Sequence, residues 1–144
     1  MAQGDPTFYN DFKERLAQGL HDLDGHTLRI TLHTGYTPNI DTHAVWADVS
    51  ATEYTTSGGY TANGQTLSIT ITQNNTDNRA DIGATTITWS SLTLSPATPS
   101  HAIIWNDTPT SPADPLIAYI ELGSTATNGG DYSIAFPNDL FRFT

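Results

Sequence analysis

The sequence predicts a mainly β protein: an antiparallel β-sandwich or partly open barrel of about seven to eight strands, with one N-terminal α-helix. Three observations carry this. Of 144 residues, 37% are hydrophobic and only 14% charged, and the remainder is rich in Thr, Ser, Asn and Gly. Thr suits strands, and Asn, Gly, Ser and Pro suit turns. Short alternating runs are separated by turn residues throughout, and only one stretch has helical periodicity, so no helices are at hand to cover a parallel sheet.

Residues 6–20 read as that helix. Asp5 is placed to cap it, and Pro6 fits the first helical position, where no N–H is needed. Phe8, Phe12, Leu16 and Leu20 recur at every fourth residue and form one stripe; Gly19 can end the helix. The stripe predicts packing on a sheet or on a neighbouring subunit, and its terminal position also suits a partner-binding arm. His21 to His26 then turn the chain. Asp22, Asp24 and Gly25 begin like a calcium loop, but the later ligands do not follow, so a turn held by Asp side chains is expected.

Residues 27–34 alternate, with Leu28, Ile30 and Leu32 facing a core and Arg29, Thr31 and His33 facing away, as in a half-buried strand. Residues 40–50, around Trp46, fit either a strand or a short helix. Ser57-Gly-Gly59 and Asn63-Gly64 are turn signals, the second being the strongest tight-hairpin dipeptide. Leu67, Ile69 and Ile71 define one further alternating strand. Residues 73–78 read as a polar turn, with calcium binding the less favoured reading of the same composition. Strand material resumes at Ala80 and Ile82, Ile87 and Trp89, and Leu92 and Leu94. Residues 101–105 read as a buried strand and residues 116–122 as another strand, with Tyr132, Ile134 and Phe136 and then residues 140–144 closing the chain. Nothing separates two domains, so residues 1–144 are expected to form one.

The formal net charge is −10, with five Lys and Arg against fifteen Asp and Glu. Lys13, Arg15, Arg29, Arg79 and Arg142 are scattered, which speaks against nucleic acid and against a polybasic membrane contact. There is no cysteine for a disulfide or thiolate site. No apolar run approaches the roughly 20 residues of a membrane span. The first residues lack the basic and apolar regions of a secretory signal, so a native start and a protein soluble as made are expected.

No catalytic, cofactor-binding or metal residues are expected, and no enzyme. His21, His26, His33, His43 and His101 form no HxH or HExxH pattern. No GxSxG elbow occurs, and no phosphate-cradle lysine follows Gly58 and Gly59. Glu14, Glu53 and Glu121 are the only glutamates, and nothing marks a carboxylate pair among them. Tyr54, Tyr60, Trp105 and Tyr119 could stack on sugars if exposed, though large aromatics belong more often to a core.

Four blocks and a closing strand resemble a known family. They are the Phe12–Leu20 stretch leading into Thr27–Thr34; Tyr36-Thr-Pro-Asn-Ile-Asp-Thr-His43; Glu53-Tyr54 with Gly59–Leu67; and Thr88-Trp89 with His101–Asn106, followed by Pro115–Ile120. Together they resemble small tailed-bacteriophage virion structural proteins, described as head-associated or fibre-like. The resemblance implies a virion component and brings no catalytic residues. It suggests a capsid decoration or cement protein, made in the host cytoplasm and bound to the major capsid protein shell on the outside of the head. A homo-oligomer, with a trimer favoured by analogy with threefold docking positions, would be expected. The alternative is a head- or tail-fibre module that contacts host glycans.

Overall fold

A computed structural model describes residues 3–144. Among them are ten strands and one helix: β1 (Thr7–Phe8), α1 (Asn10–Ala17), β2 (Leu28–His33), β3 (Gln65–Leu67), β4 (Ile69–Asn74), β5 (Arg79–Ala84), β6 (Ile87–Trp89), β7 (His101–Asn106), β8 (Leu116–Glu121), β9 (Tyr132–Ile134) and β10 (Phe141–Phe143). They form three antiparallel sheets, ordered β1-β8-β7-β2-β3, β10-β5-β4 and β6-β9. The sheets do not close into a barrel, so the protein is mainly β and sandwich-like.

The five-stranded sheet is the middle layer. Residues directly opposed across strands share a face, which puts Ile30, Ile104, Ala118 and Phe8 in one row and Thr31, Ile103, Tyr119 and Thr7 in the other. The first face looks toward the three-stranded sheet, where Phe8 meets Phe141 edge-on at 5.2 Å between ring centres. Residues 35–56 fold over the second face. They carry two 3-10 turns, Trp46–Asp48 and Ser50–Thr52, which resolve the ambiguous stretch around Trp46. The Asp48 carboxylate starts the first turn by accepting the N–H groups of Ala44 and Val45 at 2.9 and 3.1 Å.

This cover changes how β2 must be read. Its alternation predicts one wet face, yet Thr31 and His33 are fully buried. Trp46 and Tyr36 lie over His33, at 5.6 and 6.0 Å between ring centres. The cover comes from a loop that begins beyond the strand's own end, so the period-two pattern carries no trace of it.

The helix is shorter than residues 6–20. Thr7 and Phe8 are extended and pair with Tyr119 and Ala118 of β8, and the helix begins only after Tyr9. Asp5 and Pro6 are therefore not its cap and first turn. Extending the sheet by a backbone pair outweighs a favourable cap. Tyr9 and Phe12 are buried in the core, so this segment is an integral part of the fold and not a detachable arm.

Ten strands replace the expected seven or eight because two stretches change sheets and Thr7–Phe8, expected in the helix, add β1. Ser68 separates β3, which pairs with β2, from β4, which pairs with β5. The run from Ala80 to Leu94 splits into β5 and β6, while Leu92 and Leu94 are buried without being strand. Gly58 and Gly59 do form a tight reversal, bridging Ser57 to Tyr60 with φ of +57° and +90°. Asn63-Gly64 does not join two strands. It ends a turn closed by the Gly64 N–H on the Thr61 carbonyl, where a Cβ on Gly64 would collide with the Ile30 carbonyl.

Candidate functional site

The five histidines fall into two groups. His33 and His101 oppose one another on β2 and β7. The His33 ring nitrogens bond the hydroxyls of Thr31 and Thr52, each at 2.8 Å. Burial pushes His33 down to about 3, with His101 adding to the fall, so the ring is neutral at physiological pH. His101 is held by the Ser100 hydroxyl at 3.0 Å and is lowered by burial. His43 meets the Tyr36 hydroxyl at 2.9 Å, and that hydroxyl shares a 2.7 Å bond with Tyr9.

The second group lies beneath α1. Two hydrogens on the Asn106 side-chain amide meet two ring nitrogens, Nδ1 of His21 at 3.1 Å and Nδ1 of His26 at 3.0 Å. His21 lies against Phe12 at 5.0 Å and is pushed down to about 4, chiefly by burial. Both groups join elements that are far apart in sequence. They act as internal ties, and a base that is neutral and fully enclosed, like His33, has no reach to a substrate proton. Among the described residues, no three His, Asp or Glu side chains converge as a metal site. Asp22 takes the turn role expected of it, accepting the Gly25 N–H at 3.1 Å. Asn74 likewise caps the β4–β5 turn by accepting the Asp77 N–H at 3.0 Å.

The aromatics proposed as sugar platforms are mostly core. Tyr54, Tyr60 and Trp105 are buried, and Tyr119 is half-buried against Tyr36 and His101. Trp105 stacks on Trp46 at 4.6 Å. The Tyr60 hydroxyl donates to Glu53 at 2.7 Å and accepts the Leu32 N–H at 3.1 Å. Glu53 also accepts the Asn63 N–H at 2.6 Å. This half-buried carboxylate, raised chiefly by burial, ties a loop to β2.

What the surface offers instead is apolar. Phe8, Phe12, Lys13 and Leu16 line one wall of a groove of about 210 Å³, and Phe141 and Phe143 line the other. Phe8 stacks on Phe12 at 5.4 Å, and Phe141 meets Phe143 edge-on at 5.3 Å. Phe143 is 55% exposed and Ile71 is 46% exposed; among the described residues these are the large hydrophobic side chains left open to solvent. The helical stripe flags Phe8, Phe12 and Leu16. Phe143 carries only the alternation of a terminal strand, which does not tell a covered edge from an open one.

Charge around the groove is simple. Each arginine is matched to aspartate: Arg15 to Asp11, Arg29 to Asp107, Arg79 to Asp77 and Asp81, and Arg142 to Asp81 and Asp139. Lys13 faces only the Asn10 side chain, at 3.3 Å, and is the cation without a carboxylate partner among the described residues. No basic surface forms that could follow a phosphate backbone. A smaller hollow of about 190 Å³ lies between residues 3–6 and 135–139. Compared with family models, with curated proteins and with solved structures, the chain finds no match.

Proposed function

We propose that this chain is a bacteriophage virion structural protein that decorates the capsid, binding the outside of the head and stabilising it. The observation that carries the reading is the open apolar groove between α1 and β10, with Phe143 more than half exposed at its rim. Burying such a patch against a shell subunit is favourable at roughly 25 cal/mol per Å² of apolar surface. A ligand that binds only the assembled shell stabilises it by mass action. Lys13 at the groove fits a shell segment that presents an apolar side chain beside a carboxylate. The family resemblance and the mainly β, sandwich-like fold support the same reading. The role is binding, not catalysis, and the proposed partner is the major capsid protein, with the decorating unit a homo-oligomer, a trimer on threefold positions. The glycan-binding alternative is weakened, because three of its four aromatic platforms are buried.

Quantitative mass spectrometry of purified particles tests this. Copies in proportion to shell subunits are expected, whereas a handful per particle would point to the tail and overturn the reading. Rebinding to particles stripped of the protein locates the contact. Leu16→Glu and Phe143→Ser are each expected to weaken binding at least tenfold while leaving the fold intact. Solution mass checks the trimer.

A further inference from the structure

We infer that β4 is a strand-addition site whose occupant is β4 of a second copy of this chain, paired antiparallel across a two-fold axis. The inference rests on the sheet edge and is independent of the virion reading.

The edges of the three sheets are unequal. β1 has two residues, and β3, β6, β9 and β10 have three each. β4 has six, Ile-Thr-Ile-Thr-Gln-Asn, and it lies at the end of its sheet. Its backbone pairs only with β5, in unbroken register from Ile69↔Ala84 to Asn74↔Arg79. Thr70, Ile71, Thr72 and Gln73 are all exposed. Natural sheets guard a long open edge with a charge, a proline, a bulge or a covering segment, because unpaired N–H and C=O groups template another strand. β4 has none of these, and its β-branched composition favours pairing.

The strand is self-complementary. A two-fold axis at Ile71 sets Ile71 opposite its own copy, Thr70 opposite Thr72 and Ile69 opposite Gln73. All three odd-numbered side chains then stay on the face that carries Ile82 and Phe141, since Ile71 opposes Ile82 and Ile82 opposes Phe141. Pairing would cover Ile71 and join two three-stranded sheets into a continuous sheet of six. Charge permits it. The chain carries −10 overall, but β4 carries no charge, so no like charges are set against one another on the strands. Asp77 and Asp81, beside the strand, are each paired with Arg79.

One strand pair buries less than the ~1,200 Å² typical of stable interfaces. The dimer is therefore concentration-dependent, and it would tighten wherever copies are held close together.

The chain has no cysteine, which makes a direct test possible. Ile71→Cys is expected to form a disulfide-linked dimer under mild oxidation, since directly opposed residues of an antiparallel pair lie within disulfide reach. Ser124→Cys, on an exposed loop, is the control and should not cross-link. In sedimentation runs from micromolar to millimolar protein, the wild type should gain a two-fold step in mass, and Ile71→Lys should lose that step with unchanged thermal unfolding. The inference is overturned if the wild type shows no such step, if Ile71→Lys retains it, or if the two cysteine variants cross-link equally.

Discussion

The five-stranded and three-stranded sheets differ sharply in burial and serve opposite ends. In β2, β7 and β8 only Arg29, His101, Tyr119 and Glu121 escape full burial. In β4, β5 and β10 only Ile82 is buried. β2 and β4 both alternate Leu or Ile with polar residues, so that pattern alone does not separate the two sheets. The difference is whether a second layer reaches the far face. Residues 35–56 supply that layer over β2 and β7, and Asp81, with the arginines around it, leaves the outer face of the three-stranded sheet to water. One sheet holds the fold together, and the other presents surface.

Acid should break this division most strongly, because the buried histidines belong to the five-stranded side. In the unfolded chain their ordinary value is 6.5; in the fold His33 falls to about 3 and His21 to about 4. Unfolding therefore takes up protons below pH 6.5. The stability gained by keeping the rings neutral is complete above pH 6.5 and is lost as the pH falls toward 4 and then 3. The slope is about 1.4 kcal/mol per pH unit for each ring. The Asp81 carboxylate, held below its ordinary 3.8 by bonds from Asn74 and Arg79 against an opposing desolvation, stays ionised between pH 7 and 4.5 and adds nothing to the slope there. Denaturant titrations at pH 7, 5.5 and 4.5 check this, and a flat profile across that window would contradict it.

Core truncation ranks next. Ile104→Ala should cost about 2–5 kcal/mol, because Ile104 is fully enclosed between Ile30 and Ala118. The matching change on the other sheet, Ile71→Ala, should cost less than about 1 kcal/mol, since half of that side chain is already wet. Equal losses would mean that β4 is covered in solution.

Polar contacts sharpen the contrast at smaller scale. Tyr60→Phe leaves the buried Leu32 N–H without its acceptor and Glu53 with only the Asn63 N–H, a loss of about 1–3 kcal/mol. Arg142→Ala breaks exposed pairs with Asp81 and Asp139 and should cost at most about 1 kcal/mol, less in high salt. Smallest of all, Phe143→Ser should leave the melting temperature almost unchanged while weakening particle binding. A large loss of stability there would make the groove a piece of core.

Much of the fold was legible in the chain. β7 and β8 announce themselves as short apolar runs, and Gly58 and Gly59 mark a reversal that needs positive φ. The misreadings share a cause. Whether Thr7 and Phe8 extend a sheet or start a helix depends on β8, more than a hundred residues away. The enclosure of His33 depends on a loop folding back, and the exposure of Ile71 on its place in an unpaired edge strand. None of these leaves a local pattern. The groove was half visible: the stripe of Phe8, Phe12 and Leu16 could be read, but its other wall, Phe141 and Phe143, meets it only in three dimensions.

The central claim is that α1 and β10 present the surface while β2, β7 and β8 hold the fold, and hydrogen exchange of the protein free and bound to purified particles tests it most directly. Binding should add protection in peptides covering residues 8–17 and 140–144 and leave β2, β7 and β8, already protected, unchanged. Protection gained over residues 35–56 instead, or no gain at α1 and β10, would contradict the account.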